Sequence, residues 1–170
     1  MLTLQDIQNP LINPYIMNLK DYKEKVYQII GSAMTVHSVI NWGILEPVYQ
    51  EALSLELDMR GIPNQREKEI KIFYKDIELS KKYKVDMVVD DILIELKSVV
   101  KLRPIHRAQL CNYLRLTKSP IGLLINFGEP KLVGERWAYN KETNECFLVD
   151  KDMEPVFVDY TTLLDTHEDF

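Results

Sequence analysis

Apolar side chains recur at helical spacing from Leu19 to Ile40, through Tyr22, Val26, Ile29, Ile30, Ala33 and Met34, and Asn41-Trp42-Gly43 breaks the pattern. A second helix is predicted over about residues 45–60. Pro47 suits its first turn, where a missing N–H leaves no bond unmade, and Gly61 with Pro63 ends it. The period then falls to two. Glu69 to Tyr74 alternates polar and apolar, Lys75-Asp76 makes a tight turn, and Ile77-Glu78-Leu79 continues. Strands are predicted over Tyr83–Asp90 and Asp91–Val99, giving an antiparallel meander. Helical spacing returns from Leu102 to Lys118, with Pro104 near its start and Ser119-Pro120 beyond its end. The apolar run Ile121 to Phe127 reads as a buried strand with a parallel neighbour. Strand 91–99, the helix and strand 121–127 then form a right-handed βαβ unit. A hairpin is predicted over residues 136–149.

The expected organisation is one α/β domain over residues 19–150, with a mixed sheet flanked by helices. Two Asn-Pro pairs, Asn9-Pro10 and Asn13-Pro14, make residues 1–18 an irregular arm, and 151–170 reads as an acidic tail. A chain of 170 residues, 46% apolar and 28% charged, is long enough for a real core. No apolar run approaches the ~20 residues of a membrane span. The first fifteen residues lack a basic stretch followed by an apolar core, so no secretory signal is expected. Cys111 and Cys146 have no CxxC spacing and read as free thiols, which fits the cytoplasm. The net charge of −5 argues against a protein that coats DNA, but leaves room for an enzyme with a local basic surface.

Candidate chemistry lies in Lys84 to Lys97, KVDMVVDDILIELK. Asp86, Glu95 and Lys97 stand where buried strands should hold no charge. Such charges are costly unless paired or bound to metal. By alternation, Asp86 shares a face with Lys84 and Val88, and Glu95 and Lys97 share one with Leu93 and Val99. Two carboxylates on neighbouring strands, with the Leu96 carbonyl, can converge on Mg²⁺, a hard ion that favours oxygen ligands. Lys97 could then hold a water or neutralise charge at a phosphodiester undergoing hydrolysis. The tripeptide alone is not specific, because Glu69-Ile70-Lys71 repeats it in a plain alternating strand. Glu46 is a third carboxylate, placed equally well for the positive end of its helix dipole. Gln109 and Tyr113 lie one helical turn apart on one face. His37, His106 and His167 show no ligand spacing and read as structural.

Gly43, Glu46 and Tyr49 fit the pattern that names the GxxExxY proteins. The resemblance continues through Val85-Asp86, Ile94-Glu95-Leu96-Lys97, His106-Arg107-Ala108-Gln109, Tyr113-Leu114 and the run from Gly122 to Gly128, covering about residues 22–136. It implies a PD-(D/E)XK nuclease-like fold, a central mixed sheet flanked by helices. It further implies a metal-dependent nuclease acting on nucleic acid, DNA above all, with Mg²⁺ or Mn²⁺. In that frame Asp86 and Glu95 hold the metal with the Leu96 carbonyl and Glu46, Lys97 is the catalytic lysine, and Gln109 and Tyr113 resemble the Q-xxx-Y helix motif of the RecB-like and lambda-exonuclease-like branch. By that resemblance Gln109 would position the site and Tyr113 would contact substrate. Lys84 and Arg107 are candidate phosphate contacts from a basic rim that also draws on Lys81, Lys82, Lys101 and Arg103. Pro47 departs from the small polar residue the family pattern leads one to expect after the Glu. The alternative is a catalytically inactive nucleic-acid- or protein-binding module that keeps the fold, and assembly as a homo-oligomer stays open.

Overall fold

The computed structural model of the protein describes residues 18–158. Most of the N-terminal arm and the last part of the tail lie outside the described residues.

Helix α1 (Lys23–Ile40) buries Val26, Ile29, Ala33 and Val36. Helix α2 (Glu46–Met59) buries Tyr49, Leu53 and Leu57, a stripe of i, i+4, i+8 spacing. Gly61 ends α2 at φ +70°, and the Ile62 N–H donates back to the Leu57 carbonyl at 2.9 Å. This is the left-handed stop that glycine allows. Strands β1 (Gln65–Tyr74), β2 (Ile77–Val89) and β3 (Ile92–Lys97) form the predicted meander. Helix α3 (Pro104–Thr117) leads to β4 (Ile121–Asn126), and β5 (Val133–Asn140) and β6 (Glu145–Val149) complete the sheet.

The six strands lie in chain order, antiparallel except for β3 and β4, which run parallel. Helices α1 and α2 cover one face, against Ile92, Ile94, Leu96, Leu123 and Ile125. Helix α3 covers the other, against Leu93, Leu124, Trp137 and Tyr139. Both central strands are therefore buried on two sides, which accounts for their unbroken apolar sequence. Gly122 lets α3 seat closely, since a Cβ there would lie 2.8 Å from the Leu110 side chain.

Three features differ from the sequence-based expectation. Strand β2 is continuous over residues 77–89, joining Ile77-Glu78-Leu79 to the strand expected over Tyr83–Asp90. Its first eight residues are exposed, so polar side chains fit either face. The register against β1 shifts between Lys71 and Phe73. Strict alternation also fails beside Asp86, because Val85 and Val88, three residues apart, belong to the same core. Finally, the tail expected from residue 151 begins as part of the fold. Met153 is fully buried, Pro155 bridges to Val149, and Lys23 and Lys20 pair with Asp152 and Glu154. Among the described residues, no helix is long and apolar enough to cross a membrane.

Candidate active site

Pairing of β2 with β3 runs from Val89–Ile92 to Met87–Ile94 and stops there. The next position on β2 is Asp86. Its Oδ2 accepts the Leu96 N–H at 2.7 Å, so a side chain takes over where the strands part. The carboxylate is thereby turned toward the end of β3, where Glu95 and Lys97 emerge. Lys97 Nζ donates to Glu95 Oε1 at 2.8 Å. The other oxygen, Glu95 Oε2, is buried and has no hydrogen-bond partner.

Glu46 reaches this place from the opposite side of the sheet because the loop before α2 is clamped to the strand ends. The Gly43 N–H donates to the Phe127 carbonyl at 3.2 Å, and Ser98 Oγ donates to the Ile44 carbonyl at 2.5 Å. Tyr49, fully buried, donates its hydroxyl to the Asn41 carbonyl at 2.7 Å, accepts the Ile44 N–H at 3.1 Å, and stacks on Phe127 with ring centroids 4.4 Å apart. Gly43 itself sits at φ +79°, a conformation that L side chains rarely adopt. The Gly and Tyr of this motif thus build the loop, and the Glu is what the loop presents. Pro47 occupies the first turn of α2 without displacing it.

Asn126 secures the other end. Its Oδ1 accepts the Val99 N–H at 3.0 Å and the Gly128 N–H at 3.1 Å, while Nδ2 donates to the Val99 carbonyl at 2.8 Å. Gly128 is required at this crossing, since a Cβ would lie 2.2 Å from the Val99 carbonyl oxygen.

The electrostatics show how tightly the charges are gathered. Burial raises the Glu95 carboxyl to about 7, with the Asp86 charge adding to it and Lys97 opposing. Burial also lifts Asp86, against the Leu96 N–H and Lys97. Glu46 is raised by burial, with Lys97 opposing and Asp86 adding. For Lys97 burial acts downward, but Glu95, Glu46 and Asp86 together hold its pKa above the usual value. With all four ionised, three carboxylates face one ammonium, leaving a net charge of −2 in a place only partly open to water. Among the described residues no three His, Cys, Asp or Glu side chains stand close enough to enclose a metal ion.

Helix α3 forms the site's far wall. Gln109 Nε2 donates to the Tyr113 hydroxyl at 2.9 Å, and that hydroxyl feels the charges of Glu95, Lys97 and Asp86. Arg107 is not an open cation. Its guanidinium makes a fork on Glu135, with contacts of 2.7, 3.0 and 3.1 Å, and Glu135 also accepts the Trp137 indole N–H. Lys84 is exposed and only 4.0 Å from Glu67, on the strand leading away from the centre.

Sequence reading missed Gln50 and Asn126 and placed His106 outside the site. Gln50 Nε2 donates to the Asp86 carbonyl at 3.1 Å. Its signal was its position one turn after Glu46. Asn126, the lone polar residue of a buried strand, stood out by that alone. His106 does have a structural role, its Nδ1 accepting the Arg103 N–H at 3.0 Å, yet it also lies close enough to Lys97 for that charge to help lower its pKa, after burial. His37 bonds the Glu129 carbonyl at 2.9 Å and is structural. His167 lies outside the described residues.

No curated protein matches the chain. One solved structure similar to it is that of SSO0001, with a TM-score of 0.43 and 17% identity over 89% of this chain and 68% of that one. The family profile of the PD-(D/E)XK nuclease superfamily matches residues 23–137, a span running from α1 into β5 that includes every site residue above. The chain belongs to the PD-(D/E)XK nuclease superfamily.

Proposed function

We propose that the protein is a Mg²⁺-dependent phosphodiesterase of the GxxExxY type that hydrolyses nucleic acid, with DNA as its first substrate and Mn²⁺ as a substitute ion. The observation that carries this reading is Glu95 Oε2, a buried carboxylate oxygen without a partner, beside a second carboxylate. An orphaned buried anion is costly, and a divalent cation supplies the charge that the cluster lacks. The donor set suits Mg²⁺, which keeps several waters and needs few protein ligands. Asp86, Glu95 and the Leu96 carbonyl would hold it, with Glu46 acting through water. Bound there, the ion would polarise the phosphate and lower the pKa of an attacking water.

The chain's own groups do the rest. Lys97, kept charged by its three acidic neighbours, orients a water or stabilises the extra negative charge on phosphorus. Gln50 and the Leu96 N–H fix Asp86 through its backbone and its side chain. Gln109 orients the Tyr113 hydroxyl, which lies at the substrate side. Free, buried Cys111 and Cys146 fit a reducing compartment such as the cytoplasm.

The test is cleavage of labelled DNA and RNA with Mg²⁺ or Mn²⁺ by the unaltered chain and by Asp86→Asn and Lys97→Ala. Both variants should lose at least about a hundredfold in rate, as removal of groups acting on transition-state charge does. Unchanged rates would overturn the assigned site. The second reading, an inactive binding module, is favoured by one observation, the Lys97–Glu95 pair that already occupies one carboxylate oxygen. Absence of divalent-ion binding by calorimetry would select it.

A further inference from the structure

Strands β1 and β2 outrun the rest of the sheet as a two-stranded ribbon. From residue 65 to 84 every side chain is exposed except Ile70 and Ile72. Ile70 and Val85 anchor the ribbon's base in the core beneath α3. From Asp86 to Ile77 the strand extends about 30 Å. A solvated ribbon should carry polar side chains on both faces, yet its tip presents Phe73, Tyr74 and Ile77 at 56%, 64% and 69% exposure. The Lys75 ammonium stands over the Tyr74 ring, 5.6 Å from its centroid. Tyr83, half-exposed, lies 5.7 Å from Tyr113 between ring centroids and connects the ribbon to the wall of the active site.

Charge follows the same line. Between residues 65 and 84 there are seven basic and four acidic side chains, in a chain whose net charge is −5. Lys71, Lys82 and Lys84 pair with Glu78, Glu69 and Glu67, while Arg66, Lys68 and Lys81 form no ion pair among the described residues. Exposed rings interleaved with lysine, leading to a phosphodiester-cutting centre, fit a polyanion with accessible flat faces.

We infer that the β1–β2 ribbon is a binding arm for single-stranded nucleic acid, with Phe73 and Tyr74 stacking on bases and Lys68, Lys75 and Lys81 meeting phosphates. This rests on the nuclease reading for its orientation toward the active site. A single strand is favoured over a duplex for two reasons. Base faces are available to protein rings only when unstacked. The ribbon's modest positive charge would supply little of the phosphate neutralisation that dominates duplex binding.

The test is fluorescence anisotropy of the full chain with labelled single-stranded DNA, single-stranded RNA and duplex DNA of equal length, in EDTA so that nothing is cut. Phe73→Ala with Tyr74→Ala should weaken single-strand binding about tenfold or more, in keeping with the loss of stacking on one or more bases. Lys81→Glu should weaken it and make its loss with salt shallower, since one fewer phosphate is neutralised. Circular dichroism melts check that both variants fold. Preference for duplex, or single-strand affinity unmoved in folded variants, overturns the arm. So does a dimer that the tip variants abolish in a chain that binds no single strand, which would assign the ribbon to self-pairing. Arm-dependent binding without cleavage in Mg²⁺ sinks only the nuclease reading. Cleavage that ignores the tip variants sinks only the arm.

Discussion

Asp86 and Leu96 are joined by a 2.7 Å bond from the Leu96 N–H to the Asp86 carboxylate, at the point where β2 and β3 cease to pair. The bond replaces a missing ladder contact and turns a charge toward Glu95. It makes one residue both a structural acceptor and a proposed ligand, and the two roles can be separated. Asp86→Asn keeps an acceptor oxygen for the Leu96 N–H and removes the charge. The metal-free variant is expected to melt at or above the temperature of the unaltered protein, while stabilisation by Mg²⁺ is lost. Asp86→Ala leaves the N–H unsatisfied and is expected to cost about 1–3 kcal/mol less whatever charge crowding it relieves. Thermal melts with and without Mg²⁺ read both.

Stability should depend on pH in a direction set by Glu95. Its carboxyl titrates near 4.5 in the unfolded chain and at about 7 in the fold. Between these values the folded state holds a proton that the unfolded state has released. The metal-free protein is therefore expected to be most stable below about pH 4.5 with respect to this group, and to lose that contribution as pH rises to about 7. The loss is on the order of a few kcal/mol. Mg²⁺ should flatten or reverse the slope, since it binds the ionised form. Urea titrations at pH 5 and 7.5, with and without Mg²⁺, measure the effect, and Glu95→Gln should reduce the slope, leaving what the other shifted groups contribute.

Arg107 gives a case where structure and sequence part. Its fork on Glu135 is only slightly exposed, at 14% and 18% for the two side chains. Arg107→Ala strands a largely buried carboxylate and is expected to destabilise by about 3 kcal/mol, near the lower end of what breaking a buried pair costs. Substrate affinity of the folded variant should change little. A double-mutant cycle with Glu135→Ala would show a coupling of 1 kcal/mol or more, roughly.

Tyr49→Phe removes the hydroxyl that bonds both Asn41 and Ile44. Stability should fall by about 1–2 kcal/mol. The cleavage rate should fall further than stability explains, because Glu46 leaves its place. Comparing rates well below the melting temperature with the unfolding free energy separates the two.

The layered architecture was readable because its signals were local. Apolar periods of 3.6 and 2 marked α1 to α3 and most strands, and the double burial of β3 and β4 appeared as unbroken apolar runs. The family profile confirms the fold that Gly43, Glu46, Asp86, Glu95 and Lys97 suggested together. What stayed hidden depends on contacts across the chain. The continuity of β2 was obscured because an exposed ribbon places no demand on either face. The partner of Arg107 is 28 residues away, and Gln50 meets Asp86 across 36. Break of alternation at Asp86 has no local signature, since it arises from strands separating.

The crowding of Glu46, Asp86 and Glu95 has a consequence for how this protein would respond to selection. Neutral substitutions such as Glu95→Gln relieve repulsion at a buried place, so they should raise the melting temperature of the metal-free chain. A laboratory search for heat-resistant variants, run without a test for cutting, would be drawn to the same positions that the proposed chemistry needs. Robustness and chemistry pull in opposite directions there, and persistence of the uncompensated carboxylates in a stabilised lineage would itself mark a demand beyond folding.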